Sequence, residues 1–213
     1  MIRTLLILGF ALLAPQWTVP LHVPVVAASG TPCTALPFTD NFTRANGPLG
    51  APWTQSSGGT FVIASNQMAQ GLNGVAAVAW PTGCPYSGTT QYAQITLGTL
   101  GSSTFGPAIY LSDANNYYYL TCTNSAGSCS VASVIGGSGG YVGSPSNPAF
   151  SSGDTLCIEV DSATTIKVKT HGSYFGTWTV SAIPFGGGGV WVGASSTTQD
   201  TFSNFQTGNG TCP

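Results

Sequence analysis

Phe38-Thr39-Asp40-Asn41-Phe42-Thr43-Arg44-Ala45-Asn46-Gly47-Pro48-Leu49-Gly50, with Trp53 just beyond, contains an Asp40-Asn41-Phe42 triplet that returns near the far end of the chain as Asp200-Thr201-Phe202. The second triplet follows Val190-Trp191-Val192-Gly193-Ala194. Between them lies a charge-poor, glycine-rich run of short alternating segments. That is how a β-sandwich reads when its first and last strands lie side by side.

The segments between the triplets support this reading. Gln91 to Leu97 alternates Tyr92, Gln94 and Thr96 with Ala93, Ile95 and Leu97, which gives one polar and one apolar face. Thr155 to Asp161 sends Leu156, Ile158 and Val160 one way and Cys157, Glu159 and Asp161 the other. Ile166 to Thr170 repeats the pattern with Lys167 and Lys169 outward. Pro107 to Leu111 and Tyr117 to Cys122 form a further pair around the turn residues Ser112 to Asn116. Val131 to Ile135, Trp178 to Ile183 and Val190 to Ala194 complete the set. Gly-Gly-Ser-Gly-Gly at 136–140 and the four glycines at 186–189 read as tight turns between strands. Apolar residues at helical spacing are missing from the stretch after the leader, so little helix is expected.

Ahead of the sandwich, Arg3 precedes an apolar run from Leu5 to Leu13, and Val26-Ala27-Ala28-Ser29 offers small residues suited to cleavage. Residues 1–28 therefore read as a signal peptide and 29–213 as one domain. The apolar run is shorter than the roughly 20 residues a membrane span needs, and no later stretch supplies one. The mature protein is expected to be exported with no membrane span.

Without the leader, Arg44, Lys167 and Lys169 face Asp40, Asp113, Asp154, Glu159, Asp161 and Asp200, a formal charge of −3. So few charges leave no basic stripe for nucleic acid and no polybasic patch for an anionic membrane. The composition favours an uncharged partner, either a neutral polysaccharide or glycan or another copy of the chain.

Six cysteines in an exported chain predict three disulfides. Cys122 and Cys129 flank a turn-rich tip and should clip a hairpin. Cys33 and Cys212 lie just outside the two triplets, so aligning the triplets predicts their pairing and leaves Cys84 with Cys157. A zinc site is disfavoured, because no Cys-x-x-Cys occurs and the only histidines are His22 and His171.

The segments around the two triplets resemble those of the concanavalin A-like lectin/glucanase superfamily, in its laminin G-like branch, over nearly the whole chain after the leader. The resemblance implies an all-β fold, a two-sheet antiparallel jelly-roll sandwich. It leaves activity open, because the superfamily holds lectins, adhesion modules, lyases and glucanases. Many of its members hold calcium near the strand ends, and Asp40 and Asp200 match by position. Calcium takes about six to eight oxygens, so backbone and water would have to complete the shell. The alternative is that each aspartate caps a turn.

Catalytic signatures are thin. The related glucanases carry Glu-x-Asp-x-x-Glu on one strand, whereas the only glutamate here is Glu159 and the third position falls on Thr164. Glu159 and Asp161 share a strand face, which keeps a carboxylate pair geometrically possible. His171 is the only base available to a serine nucleophile, and no Gly-x-Ser-x-Gly elbow is present.

Binding is better supported. In Tyr117-Tyr118-Tyr119 the outer pair shares one face and Tyr118 takes the other. Tyr117, Tyr119, Tyr92, Gln94, Trp178 and Asn116 are the candidate ligand contacts, and Trp80, Tyr110, Tyr174 and Trp191 could extend the platform. Aromatics in strands also fill cores, so either role is open for each. The sequence thus predicts a non-enzyme, a secreted carbohydrate-binding or adhesion module that uses an aromatic- and amide-lined concave sheet face. An extracellular structural protein that self-assembles, and a glycoside hydrolase using Glu159 with an aspartate, stand as alternatives.

Overall fold

The computed structural model describes residues 32–56, 59–71, 75–124, 128–144, 149–181, 186–194 and 199–213. The expected leader at 1–28, the tip of the cysteine hairpin at 125–127 and Ile183 lie outside them. The first strands are β1 (Phe38–Asp40), β2 (Gly47–Pro48), β3 (Trp53–Gln55), β4 (Phe61–Ala64), β5 (Gln67–Gln70) and β6 (Ala77–Pro81). Then come β7 (Gln91–Leu97), β8 (Thr104–Asp113), β9 (Asn116–Thr123), β10 (Ser128–Ile135) and β11 (Ser138–Gly143). The last are β12 (Thr155–Ser162), β13 (Thr165–Thr170), β14 (Ser173–Thr179), β15 (Gly187–Val192) and β16 (Thr201–Asn209). No helix occurs among the described residues.

Two antiparallel sheets form. Sheet A runs β14-β13-β12-β7-β16-β5-β4-β2, with β1 also on β16, and sheet B runs β11-β10-β9-β8-β15-β6-β3. First and last strands are neighbours, as the triplets predict: Phe38 faces Thr207 and Asp40 faces Phe205. The triplets themselves are not aligned: the register sets Asp40 opposite Phe205, three residues beyond Phe202.

Alternation decides what is buried. Ala93, Ile95 and Leu97 of β7, Leu156, Ile158 and Val160 of β12, and Ile166 and Val168 of β13 face inward. They meet Phe105, Ile109, Tyr118, Leu120, Val131, Val190 and Val192 of sheet B in one core. Trp53 closes one end, its ring 5.0 Å from Phe205 and 5.8 Å from Phe42.

The glycine-rich segments correct the turn reading. Gly136 and Gly137, with φ of 58° and 80°, make a genuine tight turn, but the chain pairs again at once through Gly139 and Gly140 in β11. Gly187 to Gly189 lie inside the central strand β15. Glycine is needed there for close approach: a Cβ on Gly188 would lie 2.3 Å from Thr207 Oγ1 across the sandwich. Gly106 in β8 is tighter, since a Cβ there would lie 1.8 Å from the Leu120 carbonyl oxygen. Gly106→Ala must push β8 from β9 and is expected to cost about 3 kcal/mol or more, read as a lower urea midpoint at unchanged slope.

Cys122 and Cys129 are bridged across the β9–β10 hairpin. The other two pairs differ from expectation: Cys33 joins Cys84 and Cys157 joins Cys212. Continued backward, the β1–β16 register would bring Cys33 beside Cys212. Pairing stops at Phe38, however, because Pro37 has no N–H to continue the ladder. The chain instead crosses to the end of β6, where the Cys33 N–H donates to the Thr82 carbonyl at 2.8 Å. Cys212 is then left to the outward-facing Cys157. Three disulfides fit an oxidising compartment. No described helix is long and apolar enough to cross a membrane.

Candidate functional site

The outer face of sheet B carries an aromatic cluster, and among the described residues no further layer of strands lies over it. Val78, Ala108, Leu111, Tyr117 and Trp191 pack together there, with the half-buried Trp80, Tyr119 and Val134 against them. The Tyr119 and Trp191 ring centroids lie 4.4 Å apart with the planes tilted by 32°, and Tyr117 lies 5.5 Å from Tyr119. Period-two alternation builds this face: in β15, Gly187, Gly189 and Trp191 point outward while Gly188, Val190 and Val192 point in.

The outward glycines open a groove. Trp80, Tyr86, Leu111, Ser112 and Gly187 line a hollow of about 320 Å³ at the end of the cluster. The Tyr86 ring lies over Gly187, where a Cβ would come within 2.3 Å of it. The Tyr86 hydroxyl accepts the Gly188 N–H at 3.1 Å and bonds Thr207 at 2.9 Å, which fixes this wall. Burial, reinforced by neighbouring Tyr119 and only partly offset by a hydrogen bond with Trp191, pushes the Tyr117 phenol up to about 12. Burial raises Tyr119 as well. Both stay neutral hydroxyls through the ordinary pH range, on a face that is apolar in its rings and polar at its tips.

The six candidate contacts do not converge. Tyr117 and Tyr119 belong to this face. Tyr92 lies on the outer face of sheet A, packed on the Cys157–Cys212 bridge, and Gln94 is half-exposed beside it, opposite Gln206. Trp178 covers Gly176 and abuts Gly143 of β11, so it closes the sandwich edge between the sheets. Asn116 is occupied in the β8–β9 turn, donating to Asp113 at 3.1 Å and accepting the Gly136 N–H at 3.0 Å. Tyr110 also turns to the core. The sequence reading left Tyr86, Leu111 and the glycine floor unassigned. The alternation of Gly187-Gly188-Gly189-Val190-Trp191 is the signal that points to them.

Glu159 is fully buried on the outer face of sheet A. Its Oε1 accepts the Tyr174 hydroxyl at 2.8 Å and its Oε2 the Cys212 N–H at 2.6 Å. Burial and the Glu159 carboxylate push Tyr174 up to about 12. Asp161 instead pairs with Lys167 at 2.6 Å. This carboxylate fastens the C-terminal segment and has no oxygen turned to a ligand, which removes the basis for pairing it with Asp161 in glycoside hydrolysis.

The two aspartates do not suit calcium. Asp40 faces Phe205, so Asp200, just before the start of β16, is five residues from that point, roughly 17 Å at strand rise. Asp40 Oδ1 accepts from Arg44 at 2.7 Å and from the Phe42 N–H at 2.8 Å, and Oδ2 from Trp53 Nε1 at 2.8 Å. A guanidinium already holds the charge an ion would take. Among the described residues no group of three or more His, Cys, Asp or Glu could hold a metal. The turn-capping alternative describes Asp40.

Their titrations should have opposite signs. Burial alone would raise Asp40, but hydrogen bonds from Arg44, Trp53 and Phe42 outweigh it and hold the pKa below its ordinary value. Its stabilisation is complete above the unfolded pKa of about 3.9 and is lost as pH falls through the folded value. Asp200 is raised by burial, with the Gly101 N–H at 2.6 Å only partly offsetting it. Its contribution is complete below the unfolded pKa and is lost as pH rises through the folded one. Asp40→Asn should therefore cost about 1–3 kcal/mol at pH 7 and little in acid. Asp200→Asn should raise stability at pH 7, and urea midpoints across pH check both.

No protein-family model and no curated protein matches this chain. Solved structures do share its architecture. It is similar to the carbohydrate binding module CBM66 from Bacillus subtilis, with a TM-score of 0.58 and 14% identity over 84% of this chain and 100% of that one. A Bacillus subtilis protein of unknown function with a galectin-like fold gives 0.54 and 12%, over 74% and 89%. The exoplasmic/lumenal domain of VIP36, in a calcium-bound form, gives 0.51 and 8%, over 76% and 85%. The fold is a galectin-like, concanavalin A-like jelly-roll sandwich.

Proposed function

We propose that this chain is a secreted, non-catalytic module that binds a neutral glycan on the outer face of sheet B. In this reading residues 1–28 are a cleaved leader, residues 29–213 are the working domain, and the Asp40 and Asp200 segments mark its laminin G-like branch. The observation that carries the proposal is the closely packed Trp191–Tyr119 pair, with Trp80 and Tyr117, beside a glycine-floored groove. Trp80 and Tyr119 are the half-exposed rings of this cluster, and flat, uncharged rings with an N–H or hydroxyl at the edge suit sugar faces, which present C–H groups to a ring and hydroxyls to its edge. The names of CBM66 and of several lectin-like structural relatives agree with such a ligand.

A second reading uses the free edge of sheet B. Ile135 and Tyr141, 42% and 71% exposed at the end of sheet B, would suit contact between copies in an assembled layer. A glycan-array screen of oxidised 29–213, with its oligomeric state monitored, tests both. Selective binding by the monomer supports the first. A blank array from a folded protein that self-associates contradicts it and favours the second.

A further inference from the structure

The interstrand register gives the aromatic face a direction. Tyr119 of β9 stands opposite Ala108 of β8 on one side and Ala132 of β10 on the other. Ala108 stands opposite Gly189 of β15, and Ala132 opposite Tyr141 of β11. One residue beyond Val190–Ala79, the β6–β15 register brings Trp80 beside Gly189, and a Cβ on Gly189 would lie 3.2 Å from Trp80 Cβ. Thr54 of β3 is opposite Trp80. Residues directly opposite in a sheet share a face.

A single line perpendicular to the strands therefore reads Thr54, Trp80, Gly189, Ala108, Tyr119, Ala132, Tyr141. Rings alternate with residues too small to interrupt a ligand lying across them. At the strand spacing of a sheet, Trp80 and Tyr119 are roughly 14 Å apart and Tyr119 and Tyr141 roughly 10 Å. The line leaves the sheet at its free edge, where Tyr141 is 71% exposed. Asp113, held in the β8–β9 turn by Asn115 and Asn116, is the one charged residue in the seven strands.

We infer that the ligand is the interior of a linear, uncharged polysaccharide, lying across the strands from Trp80 over Tyr119 to Tyr141. The inference rests on the glycan-binding reading and adds its ligand class and polarity. An extended chain reaches three separated platforms, whereas a single sugar or a chain end reaches one. An anionic chain would find no cation on this face to compensate its charge.

The test is calorimetric titration with size-fractionated neutral gluco-, xylo- and fructo-oligosaccharides, from disaccharide to hexasaccharide. Affinity should climb at least about tenfold along the series that binds. Tyr141→Ala, at an exposed site that should not disturb folding, should lower hexasaccharide affinity about tenfold and leave the disaccharide unchanged. Ala132→Lys should act as Tyr141→Ala does. Binding that is independent of length, or hexasaccharide affinity unmoved by Tyr141→Ala, overturns the inference while leaving glycan binding intact. Failure of every neutral glycan to bind a folded monomer overturns both.

Discussion

Trp80→Ala combined with Tyr119→Ala is expected to lower glycan affinity by about a hundredfold while the protein stays folded, whereas Gln94→Ala on the opposite sheet leaves affinity unchanged. Both rings are half-buried on the outer face of sheet B, so truncation removes contact surface without opening the core. Trp191 is a poorer choice. Only 9% exposed, it supports Tyr119 from beneath, and its removal would affect folding and binding together. Each single substitution should give about a tenfold loss, with departures from additivity because both rings contact the same cluster. Thermal melts of the variants separate lost binding from lost fold.

Removal of the Cys157–Cys212 bridge, through paired alanine substitution, is expected to give the largest loss of stability. The bridge closes a loop of 55 residues, which in the loop-entropy account is worth about 4 kcal/mol. It also secures the segment whose Cys212 N–H reaches Glu159 and whose main-chain oxygens at Cys212 and Pro213 accept Lys169 Nζ. If that segment lifts away, a buried carboxylate loses a donor. A fall of roughly 8–16 °C in melting temperature is expected. The Cys122–Cys129 loop spans only 7 residues, so losing that bridge should cost about half as much. Equal effects from the two bridges would refute the loop-length argument.

The parts of the fold that could be read from sequence are those where one face is buried and the other is polar. Gln91 to Leu97 is β7 to the residue, and Thr155 to Asp161 and Ile166 to Thr170 lie within β12 and β13, because alternation exposes their register directly. The glycine run was misread because a central strand whose outward positions are empty looks like a turn. Only the groove it floors and the facing Thr207 give those glycines a purpose. The cysteine pairing failed at a single residue, Pro37, which ends the β1 ladder before Cys33 can reach Cys212.

Site residues were harder to place, because alternation assigns a face within a strand but does not say which sheet the strand joins. Tyr92 and Tyr119 have similar patterns, yet they stand on opposite outer surfaces of the sandwich. Alternation likewise puts Glu159 on the outward face of its strand without showing what covers it. Its cover comes from Tyr174 on β14 and from the chain's last residues, which only the tertiary fold brings over it.

The most direct test is to label the indole N–H groups with nitrogen-15 and follow them by NMR as the selected glycan is added. Of the four tryptophans after residue 28, Trp80 and Trp191 lie on the outer face of sheet B. Trp53 is in the core, and Trp178 sits on β14 of sheet A, packed inward between the sheets against β11. The account predicts that the Trp80 and Trp191 signals move with saturating glycan while Trp53 and Trp178 stay put. Movement confined to Trp178, or no indole movement alongside shifts at Tyr92 and Gln94, would contradict it and move the ligand to sheet A.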